Sequence, residues 1–320
     1  MLTSSLPFHL VNAFIVNDDL HSGNQASVVV FPDDQDERWK DERWLLNVAK
    51  DFNYSETAFL VPLSSPSQAE TDTIGRWELR WFTVQEEVHL CGHATLATSK
   101  VLFSLYPSLD KVEFSTRYSG TLTAIKTEDD GIEITLPGME DEYLSKAGTR
   151  GSEDEIERLS VALGLLDSGD ILGISECLYS GDRSPIVQIS DKVDIRDIQI
   201  DFKSLVTFSK SMVITQIDTL KSTEESNRLH IKSRVFGPGL GLDEDPVTGS
   251  AHADLCGYYL ASPANKYLPE HLRDNPKIEV IALQCSQRGG ELTLRWDEEI
   301  RKARIIGRAH QFAGGTLIGS

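Results

Sequence analysis

The sequence predicts an α+β fold built from two similar halves, on three observations. Two helices, one following Gly92-His93 and one following Gly249-Ser250, have almost no polar face and must therefore be buried. Many short strand-like runs, separated by turn residues, surround each helix, as is typical of mostly antiparallel sheets. The segment around each helix start also occurs twice. We therefore expect two domains, each a curled, barrel-like sheet around one central buried helix.

The repeated segment consists of a strand, an acidic loop and the start of a buried helix. Phe82 matches Phe236, Cys91 matches Thr248, and the loop of the second copy is three residues longer. Two copies separated by about half the chain suggest two like domains rather than a solenoid, which needs many short repeats. A length of 320 residues also favours two domains of roughly 150 residues each.

The first half is predicted to be rich in strands. Apolar residues from Trp44 to Phe52 recur at helical spacing and indicate one surface helix, which follows a charged connector at 33–43 and ends near Asn53. A polar loop is expected at 64–75. Alternating or β-branched runs predict strands at residues 9–16, 25–31, 56–63, 76–83, 111–116, 121–127 and 131–136.

The second half is predicted to repeat this pattern after an acidic loop at 138–151. Ser152 and Glu155 form a capping box that opens a helix, and a short helix is expected at 201–209. The glycine-rich run at 237–241 is interpreted as a loop, because acidic residues follow it where a dinucleotide site needs a helix start. Strands are predicted at residues 173–179, 184–189, 212–217, 230–236, 277–284, 291–296 and in the tail at 304–318.

Charge and composition exclude several classes of function. A formal net charge of −19 repels phosphate backbones and anionic lipids, so neither nucleic acid nor membrane is an expected partner. No stretch approaches the roughly 20 apolar residues that span a bilayer. Four widely spaced cysteines without a C-x-x-C pair, and an N-terminal stretch without a basic leader, indicate a reduced, cytoplasmic protein.

The start of the first buried helix is a candidate site for an anion. The first N–H groups of a helix have no internal partner and carry partial positive charge, so Gly92 and His93 offer donors to a carboxylate. We expect the helix N-terminus to favour a neutral His93. The alternative is a metal site formed by His89, Cys91 and His93, but no further ligand cluster is evident.

Glu56 stands at the start of an otherwise apolar strand. Burial in a cleft would raise the pKa of this carboxyl group toward the range that suits proton transfer. The alternative is an exposed carboxylate at a strand edge.

Four separated motifs together resemble the phenazine-biosynthesis (PhzF-type) isomerase family of the diaminopimelate epimerase and proline racemase superfamily. They occur in the same order along nearly the whole chain. These motifs are Gly23-Asn24 before a strand, Ser55-Glu56-Thr57-Ala58-Phe59, Cys91-Gly92-His93-Ala94-Thr95-Leu96-Ala97, and Glu244-Asp245-Pro246-Val247-Thr248-Gly249-Ser250-Ala251-His252. The chain departs from the family pattern at Gln25, where proline is common, and within 284–290.

The resemblance implies a fold like that of diaminopimelate epimerase, with the site between two facing domains. We assign residues 1–119 to the first domain and 120–307 to the second, with the final strand, about 308–320, returning to the first. The resemblance also implies that no cofactor or metal is needed. The oligomeric state is left open between a monomer and a homodimer.

The resemblance assigns roles to five residues, and the sequence adds Gly249, which with Ser250 offers donors at the second helix start or, alternatively, caps that helix. Glu56 is the general acid/base, and His93 and Asp245 are the other catalytic groups. From the residues alone, Asp245 before Pro246 is either a turn residue or a second proton carrier. Substrate binding is assigned to the two helix starts, through Gly92, Gly249 and Ser250.

Cys91 and Thr248 occupy positions where true racemases of the superfamily place two cysteines. Threonine is too weak an acid to serve as the second base. We therefore expect no symmetric racemisation by two thiols, and Cys91 is equally well explained as a small buried residue.

The function predicted from these features is a cofactor-independent isomerase that moves a proton on a small, anionic, carboxylate-bearing metabolite. One alternative is a catalytically idle member of the fold that binds a protein partner. The other is a lyase of the same superfamily that eliminates water.

Overall fold

The computed structural model describes residues 5–63, 73–149, 151–179, 182–273, 275 and 277–318. The chain divides into two compact units. The first unit combines Met1–Leu136 with Ile306–Ser320, and the second contains Pro137–Ile305. The division lies after Leu136 rather than after residue 119, because the strands at 121–126 and 132–137 continue the antiparallel pairing of the first unit.

The secondary structure is mixed, which confirms the α+β class. The described helices are α1 (Glu42–Phe52), α2 (Gly92–Leu105), α3 (Asp141–Leu144), α4 (Glu153–Ala162), α5 (Phe202–Leu205), α6 (Gly249–Leu260) and α7 (Glu270–Arg273). The described strands are β1 (Leu6–Ala13), β2 (Asn24–Val30), β3 (Glu56–Pro62), β4 (Ile74–Phe82), β5 (Glu87–Val88), β6 (Lys111–Thr116), β7 (Thr121–Lys126), β8 (Ile132–Pro137), β9 (Ile171–Tyr179), β10 (Asp182–Ile189), β11 (Met212–Ile217), β12 (Leu229–Gly237), β13 (Leu242–Asp245), β14 (Val280–Gln284), β15 (Gly290–Asp297), β16 (Lys302–Gly307) and β17 (Ala309–Leu317).

The sheet of the first unit runs in the order β17-β1-β2-β3-β4-β6-β7-β8. Only the β2–β3 and β4–β6 pairs are parallel. The last strand, β17, pairs with β1, so the end of the chain completes the sheet that its beginning starts. Helix α2 contacts β17 and β1 at one end of this order and β7 near the other. The sheet therefore curves around the helix.

The sheet of the second unit repeats this pattern in the order β9-β10-β11-β12-β14-β15. The β10–β11 pair is parallel like β2–β3, and β12–β14 is parallel like β4–β6. A short strand forms a hairpin with the strand before each buried helix, β5 with β4 and β13 with β12. The predicted duplication is thus present in the strand topology.

The two long apolar helices are buried, as their composition predicted. Eleven of the fourteen residues of α2 and ten of the twelve residues of α6 are buried. The polar side chains of α2 do not need solvent, because the hydroxyl groups of Thr95, Thr98 and Ser99 donate to carbonyl oxygens one turn earlier at 2.6–2.8 Å. Because its polar groups are hydrogen-bonded within the helix, burying such a helix inside a sheet costs little desolvation free energy.

An arginine clamp, defined as Arg80 with Glu87 and Arg234 with Glu244, fastens the short hairpin before each buried helix. Arg80 binds both oxygens of Glu87 at 2.7 and 2.8 Å, and Arg234 binds both oxygens of Glu244 at 2.8 and 3.0 Å. Two parallel bonds between a guanidinium and a carboxylate fix orientation as well as distance. The two clamps therefore hold equivalent loops in equivalent places.

Several predicted loops contain short helical turns. The connector at 33–43 includes a 3-10 turn at Glu37–Lys40, and the loop at 138–151 includes α3. The helix expected at 201–209 is shorter, with α5 covering one turn. Most of the predicted loop at 64–75 lies outside the described residues. Among the described helices, none has the length and apolarity needed to cross a bilayer.

Candidate functional site

The start of α2 carries His93 into a cluster of polar side chains in the first unit. The residue before the helix, Cys91, has an extended backbone, and its side chain makes no capping hydrogen bond. The first-turn N–H groups of α2, which include that of Gly92, therefore have no side-chain cap from this residue. His93 and Cys91 are 3 and 4 % exposed. Both side chains are therefore almost completely buried at the start of α2.

Glu56 and His93 form a close pair. Glu56 is the first residue of β3, and its carboxylate Oε2 lies 3.1 Å from Nε2 of His93. The side chain of Glu56 is 18 % exposed, whereas that of His93 is 4 % exposed. Glu56 is thus the more exposed side chain of the pair, although the oxygen that faces His93 is buried. Glu56 and the start of α2 therefore lie together within the first unit.

The pair changes both pKa values from the sequence-based expectation. Burial would raise the pKa of Glu56, but the charge and hydrogen bond of His93, with a further bond from Ser55, lower it below the usual value. Burial would lower the pKa of His93, but negative charge on Cys91 and Glu56 raises it well above the usual value. The expectations of a raised pKa for Glu56 and a neutral His93 are wrong, because each group supplies the opposite charge to the other.

Cys91 contacts the other side of the imidazole, with Sγ 3.6 Å from Nδ1 of His93. Burial and the charge of Glu56 raise the pKa of the Cys91 thiol. The Cys91 side chain and the Glu56 carboxylate both contribute to the raised pKa of His93.

Asn24 and Ser55 complete the cluster; both stand in motifs that carry the resemblance, but the sequence analysis assigned neither a role. Asn24 Nδ2 lies 3.3 Å from His93 Nδ1, and Ser55 Oγ lies 3.3 Å from His93 Nε2. Ser55 Oγ also donates to Asn24 Oδ1 at 3.2 Å. Gly23, the residue before Asn24, has a φ of +78°, and an added Cβ would lie 2.4 Å from the carbonyl oxygen of Ala13. The turn that places Asn24 therefore favours glycine at position 23. The Gly23-Asn24 pair was the available signal.

The candidate metal ligands that lie together in the structure differ from the predicted set of His89, Cys91 and His93. His89 stacks on Tyr118 with ring centroids 4.2 Å apart. The ligand atoms of Glu56, Cys91 and His93 instead lie within 4.8 Å of one another. A metal would need thiolate and neutral imidazole, so its binding would have to displace protons that the raised pKa values of Cys91 and His93 favour. The donor set fits an acid–base pair better than a metal, and the absence of a metal stays a prediction.

The second unit builds a different set of groups at the start of α6. Thr248 Oγ1 donates to the Asp245 carboxylate at 2.5 Å. Gln284 accepts from the backbone N–H of Thr248 at 2.8 Å and donates to the backbone oxygen of Asp245 at 2.6 Å. Asp245 is 6 % exposed. Asp245 is therefore held as part of a local network and is more than a turn residue, and Gln284 is a member that the sequence analysis missed.

The other predicted residues of this unit lie in the first turn of α6. Gly249 is buried and Ser250 is half-buried, while the preceding Thr248 provides no side-chain cap. His252, one turn further, is fully buried between Thr248 O at 2.8 Å and Ser233 Oγ at 2.9 Å. Burial lowers the pKa of His252 to about 4, so it is a neutral structural group.

The equivalent strands show how the chemistry of the two units differs. Thr57 pairs with Phe82 as Met212 pairs with Phe236, so Ser211 occupies in the second unit the position that Glu56 occupies in the first. By the same alignment Ser250 corresponds to His93. Among the described residues, the equivalent positions of the second unit therefore lack this acid–base pair.

Comparisons with known proteins agree along almost the whole length. The family model of the phenazine biosynthesis-like proteins matches residues 11–315. An uncharacterized isomerase of Pseudomonas aeruginosa is 35 % identical over 313 residues, covering 98 % of both chains.

Solved structures agree with this match. A PhzF-family phenazine biosynthesis protein of Enterococcus faecalis has a TM-score of 0.71 at 29 % identity, covering 98 % of this chain and 99 % of its own. A hydroxyproline epimerase of Agrobacterium vitis has a TM-score of 0.54 at 11 % identity, covering 98 % of this chain and 92 % of its own, and shares the fold. These similarities support an isomerase-type function, and the chain belongs to the phenazine biosynthesis-like family.

Proposed function

We propose that this chain is a cofactor-independent isomerase that moves a proton on a small carboxylate-bearing metabolite. The observation that carries this proposal is the Glu56–His93 pair, 3.1 Å apart at the start of a buried helix. An ionised carboxylate next to an imidazolium supplies a base and an electrostatic stabiliser in one place. Neither group needs a cofactor for proton transfer.

The proposed reaction has two steps. The Glu56 carboxylate takes the proton of an acidic C–H bond, so an O–H bond forms as the C–H bond breaks. His93 then stabilises the negative charge left on the substrate. Return of the proton from Glu56 to another carbon, on the same face of the substrate, completes the isomerisation. The substrate carboxylate binds the first-turn N–H groups, including that of Gly92.

The assignment of Asp245, Gly249 and Ser250 to the same reaction is the second part of the proposal. It is supported by the resemblance in motif order and by the hydrogen bonds that hold Asp245 beside the start of α6. Asp245 is proposed as the second catalytic group, and Gly249 and Ser250 are proposed to bind the substrate.

The first test measures deuterium incorporation from heavy water into a panel of small carboxylates that have an acidic C–H bond. Wild-type protein is expected to exchange one position of its substrate. Glu56→Gln preserves shape but removes the base, so exchange should fall by about 10²–10⁴-fold. Glu78→Gln is the matched control, because Glu78 is a half-buried carboxylate on the neighbouring strand β4.

The outcomes separate the proposal from its alternatives. Equal exchange by Glu56→Gln and wild type would remove Glu56 from the mechanism. A product lighter by one water molecule would identify a lyase. Absence of exchange with every carboxylate, together with specific capture of a protein partner, would indicate a binding protein.

A further inference from the structure

Two serine side chains of the second unit are buried without a hydrogen-bond partner. Ser184 is 0 % exposed and Ser211 is 1 % exposed, and among the described residues neither Oγ has a partner. A buried hydroxyl group that forms no hydrogen bond lowers the stability of the folded protein. The stability of the free chain therefore does not explain why serine stands at these two positions.

The two serines are neighbours in the sheet. Strands β10 and β11 are parallel and pair Ile186 with Val213, so the same register places Ser184 beside Ser211 two residues earlier. Neighbouring strands lie about 4.8 Å apart. The two hydroxyl groups therefore belong to one small patch, which we call the serine pair.

The serine pair lies on the face of the sheet that packs against α6. Gln188 and Thr215 each stand four residues after a member of the pair, and side chains at even spacing along a strand share a face. Gln188 Oε1 accepts a hydrogen bond from the hydroxyl of Tyr258 at 2.8 Å, and the Thr215 hydroxyl lies 3.0 Å from that of Tyr259. Both tyrosines belong to α6. The hydroxyl groups of the serine pair therefore face the same helix.

Along α6, the serine pair lies toward the N-terminal end. Four strand residues span about 13 Å, which is close to the rise of the roughly nine helix residues between the last turn of α6 and its start. The direction follows from the strand register, because Met212 and Glu244 both pair with Phe236, and Glu244 precedes the start of α6 by five residues. The serine pair therefore faces the first turn of the helix.

In the first unit, the equivalent place contains the acid–base pair. Ser211 and Ser250 stand where Glu56 and His93 stand in that unit. Glu56 lies 3.1 Å from His93 at the start of α2, which agrees with the position inferred for Ser211 at the start of α6. The second unit therefore replaces two large reactive side chains with small hydroxyl groups at the start of its buried helix.

Hydrogen-bond donors converge at this place. Thr248 provides no side-chain cap for the first-turn N–H groups of α6, because its hydroxyl donates to Asp245. The serine pair adds two O–H groups that can donate toward the same point. Amide and hydroxyl donors at a helix start suit an acceptor oxygen.

We propose that Ser184 and Ser211 bind an acceptor oxygen of the substrate, a carboxylate or carbonyl oxygen, together with the first-turn N–H groups of α6. Binding gives each hydroxyl group the partner that it lacks, so the stability lost in the free protein is regained in the complex. The inference deepens the proposed function, on which it rests, by adding two residues to the assignment of Gly249 and Ser250. Neither serine takes part in the proton transfer.

The primary test uses formate, the smallest carboxylate, as the probe. Crystals of the wild-type protein grown with and without sodium formate are compared at a resolution that shows ordered water. We expect a formate oxygen within hydrogen-bond distance of both Oγ atoms of the serine pair. An ordered water that formate does not displace, a protein atom bonded to both hydroxyl groups, or no density beside them would overturn the proposal.

Ser211→Ala separates binding from folding. Removing a hydroxyl group that has no partner in the free protein should leave the denaturation midpoint unchanged or raise it. With the carboxylate identified by deuterium exchange, KM should rise about tenfold while kcat changes less, because about one hydrogen bond to the substrate is lost. Ser184→Ala should act in the same direction. A lower midpoint with an unchanged KM would show that the hydroxyl group serves the fold and would overturn the proposal.

The matched control is Ser175→Ala, since Ser175 is a buried serine of β9 whose Oγ accepts from the backbone N–H of Gly148 at 2.6 Å. This change leaves the N–H group without that partner, so the midpoint should fall while KM stays the same. Failure of the isomerase proposal would appear as absence of deuterium exchange, and the formate density would still decide the role of the serine pair. Exchange without formate at the serine pair would overturn this inference alone.

Discussion

At the scale of residues, Glu56 and His93 each determine the charge of the other. A pKa lowered from 4.5 on the carboxyl group and raised from 6.5 on the imidazole means that both are charged between about pH 4.5 and 6.5. An ionised Glu56 can accept a proton without first losing one. The pair also links the stability of the first unit to pH.

We expect this link to give stability a characteristic pH profile. Glu56, with its pKa lowered from 4.5, contributes stability above pH 4.5 that is lost as pH falls through its folded pKa. His93, with its pKa raised from 6.5, contributes stability below pH 6.5 that is lost as pH rises through its folded pKa. The difference in unfolding free energy between wild type and Glu56→Gln should therefore be most favourable to wild type between about pH 4.5 and 6.5.

Urea denaturation at intervals from pH 4 to pH 9 measures this profile. The expected slope on each side is at most about 1.4 kcal/mol per pH unit for each titrating group. A difference that does not change across the range would contradict the pairing.

Asp254 provides a second pH-dependent prediction, in the second unit. Burial in α6 raises the pKa of Asp254 from 3.8 to about 8, the charge of Glu140 adds to this, and a hydrogen bond with Cys177 opposes it. The unfolded chain loses this proton above about pH 4, while the folded chain keeps it up to about pH 8, so the folded state loses relative stability across that window. Asp254→Asn cannot titrate and should be more stable than wild type at pH 8 by a few kcal/mol.

The measurement is thermal or urea unfolding of Asp254→Asn and wild type at pH 4 and pH 8. The advantage of the variant should appear only at the higher pH. Asp243→Asn, an exposed neighbour in sequence to Asp245, should show no such change. An equal difference at both pH values would place the cause in packing rather than in titration.

Sequence predicted part of the candidate site at this scale. The uncapped helix start and the motif order pointed to His93 and Glu56, and the structure brings them together. Asn24 and Ser55 were not identified as ring partners, because their role depends on contacts across separate strands. The directions of the pKa shifts were predicted incorrectly, because they depend on the contacts of Glu56 and His93 with each other and with Ser55 and Cys91.

At the scale of elements, the turn that leads into β2 has little freedom to change. Gly23 combines a φ of +78° with a backbone oxygen 2.4 Å from the position of an added Cβ. Gly23→Ala should therefore destabilise the protein by roughly 1–3 kcal/mol or more. It should also displace Asn24 and lower activity.

Gly120→Ala is the matched control for this change. Gly120 has a φ of +66°, but nothing lies within 4 Å of an added Cβ. It tests the cost of the backbone conformation without the close contact, so its loss of stability should be smaller. Equal losses in chemical denaturation would show that the contact with Ala13 adds nothing.

The sequence predicted helices correctly where their burial is reflected in their amino-acid composition. The lack of a polar face predicted α2 and α6, although the hydroxyl bonds that make α2 self-sufficient depend on side-chain geometry. Single-turn helices such as α3 and α5 were not predicted or were predicted too long, because four residues give too short a period to recognise. The arginine clamp was missed because Arg80 and Arg234 appear as ordinary strand residues.

At the scale of the whole molecule, duplication is clear in the fold and incomplete in the chemistry. The order and direction of the strands repeat, yet Glu56 is replaced by Ser211 and His93 by Ser250 in the equivalent positions. The repeat was predictable from Phe82, Phe236 and the matching helix starts. The strand pairing that completes each sheet was not, because register and the return of β17 are long-range features.

The proposed participation of the second unit gives a whole-molecule prediction. Asp245→Asn keeps the shape and one oxygen of the side chain but removes its negative charge. We expect isomerisation to fall at least tenfold if Asp245 is the second catalytic group. Asp243→Asn, in the same strand but exposed, is the matched control. Activity of Asp245→Asn equal to that of the control would restrict the chemistry to the first unit.

The paired arginine clamps have a consequence for engineering. Both halves have an arginine clamp, although the acid–base pair is described in one half alone. The clamp therefore stabilises the backbone of each half independently of the reactive side chains. Reactive side chains can therefore be transplanted between halves without redesigning the backbone, beginning with glutamate at position 211 and histidine at position 250. Such a chain would be a starting point for a synthetic catalyst with an acid–base pair in each half.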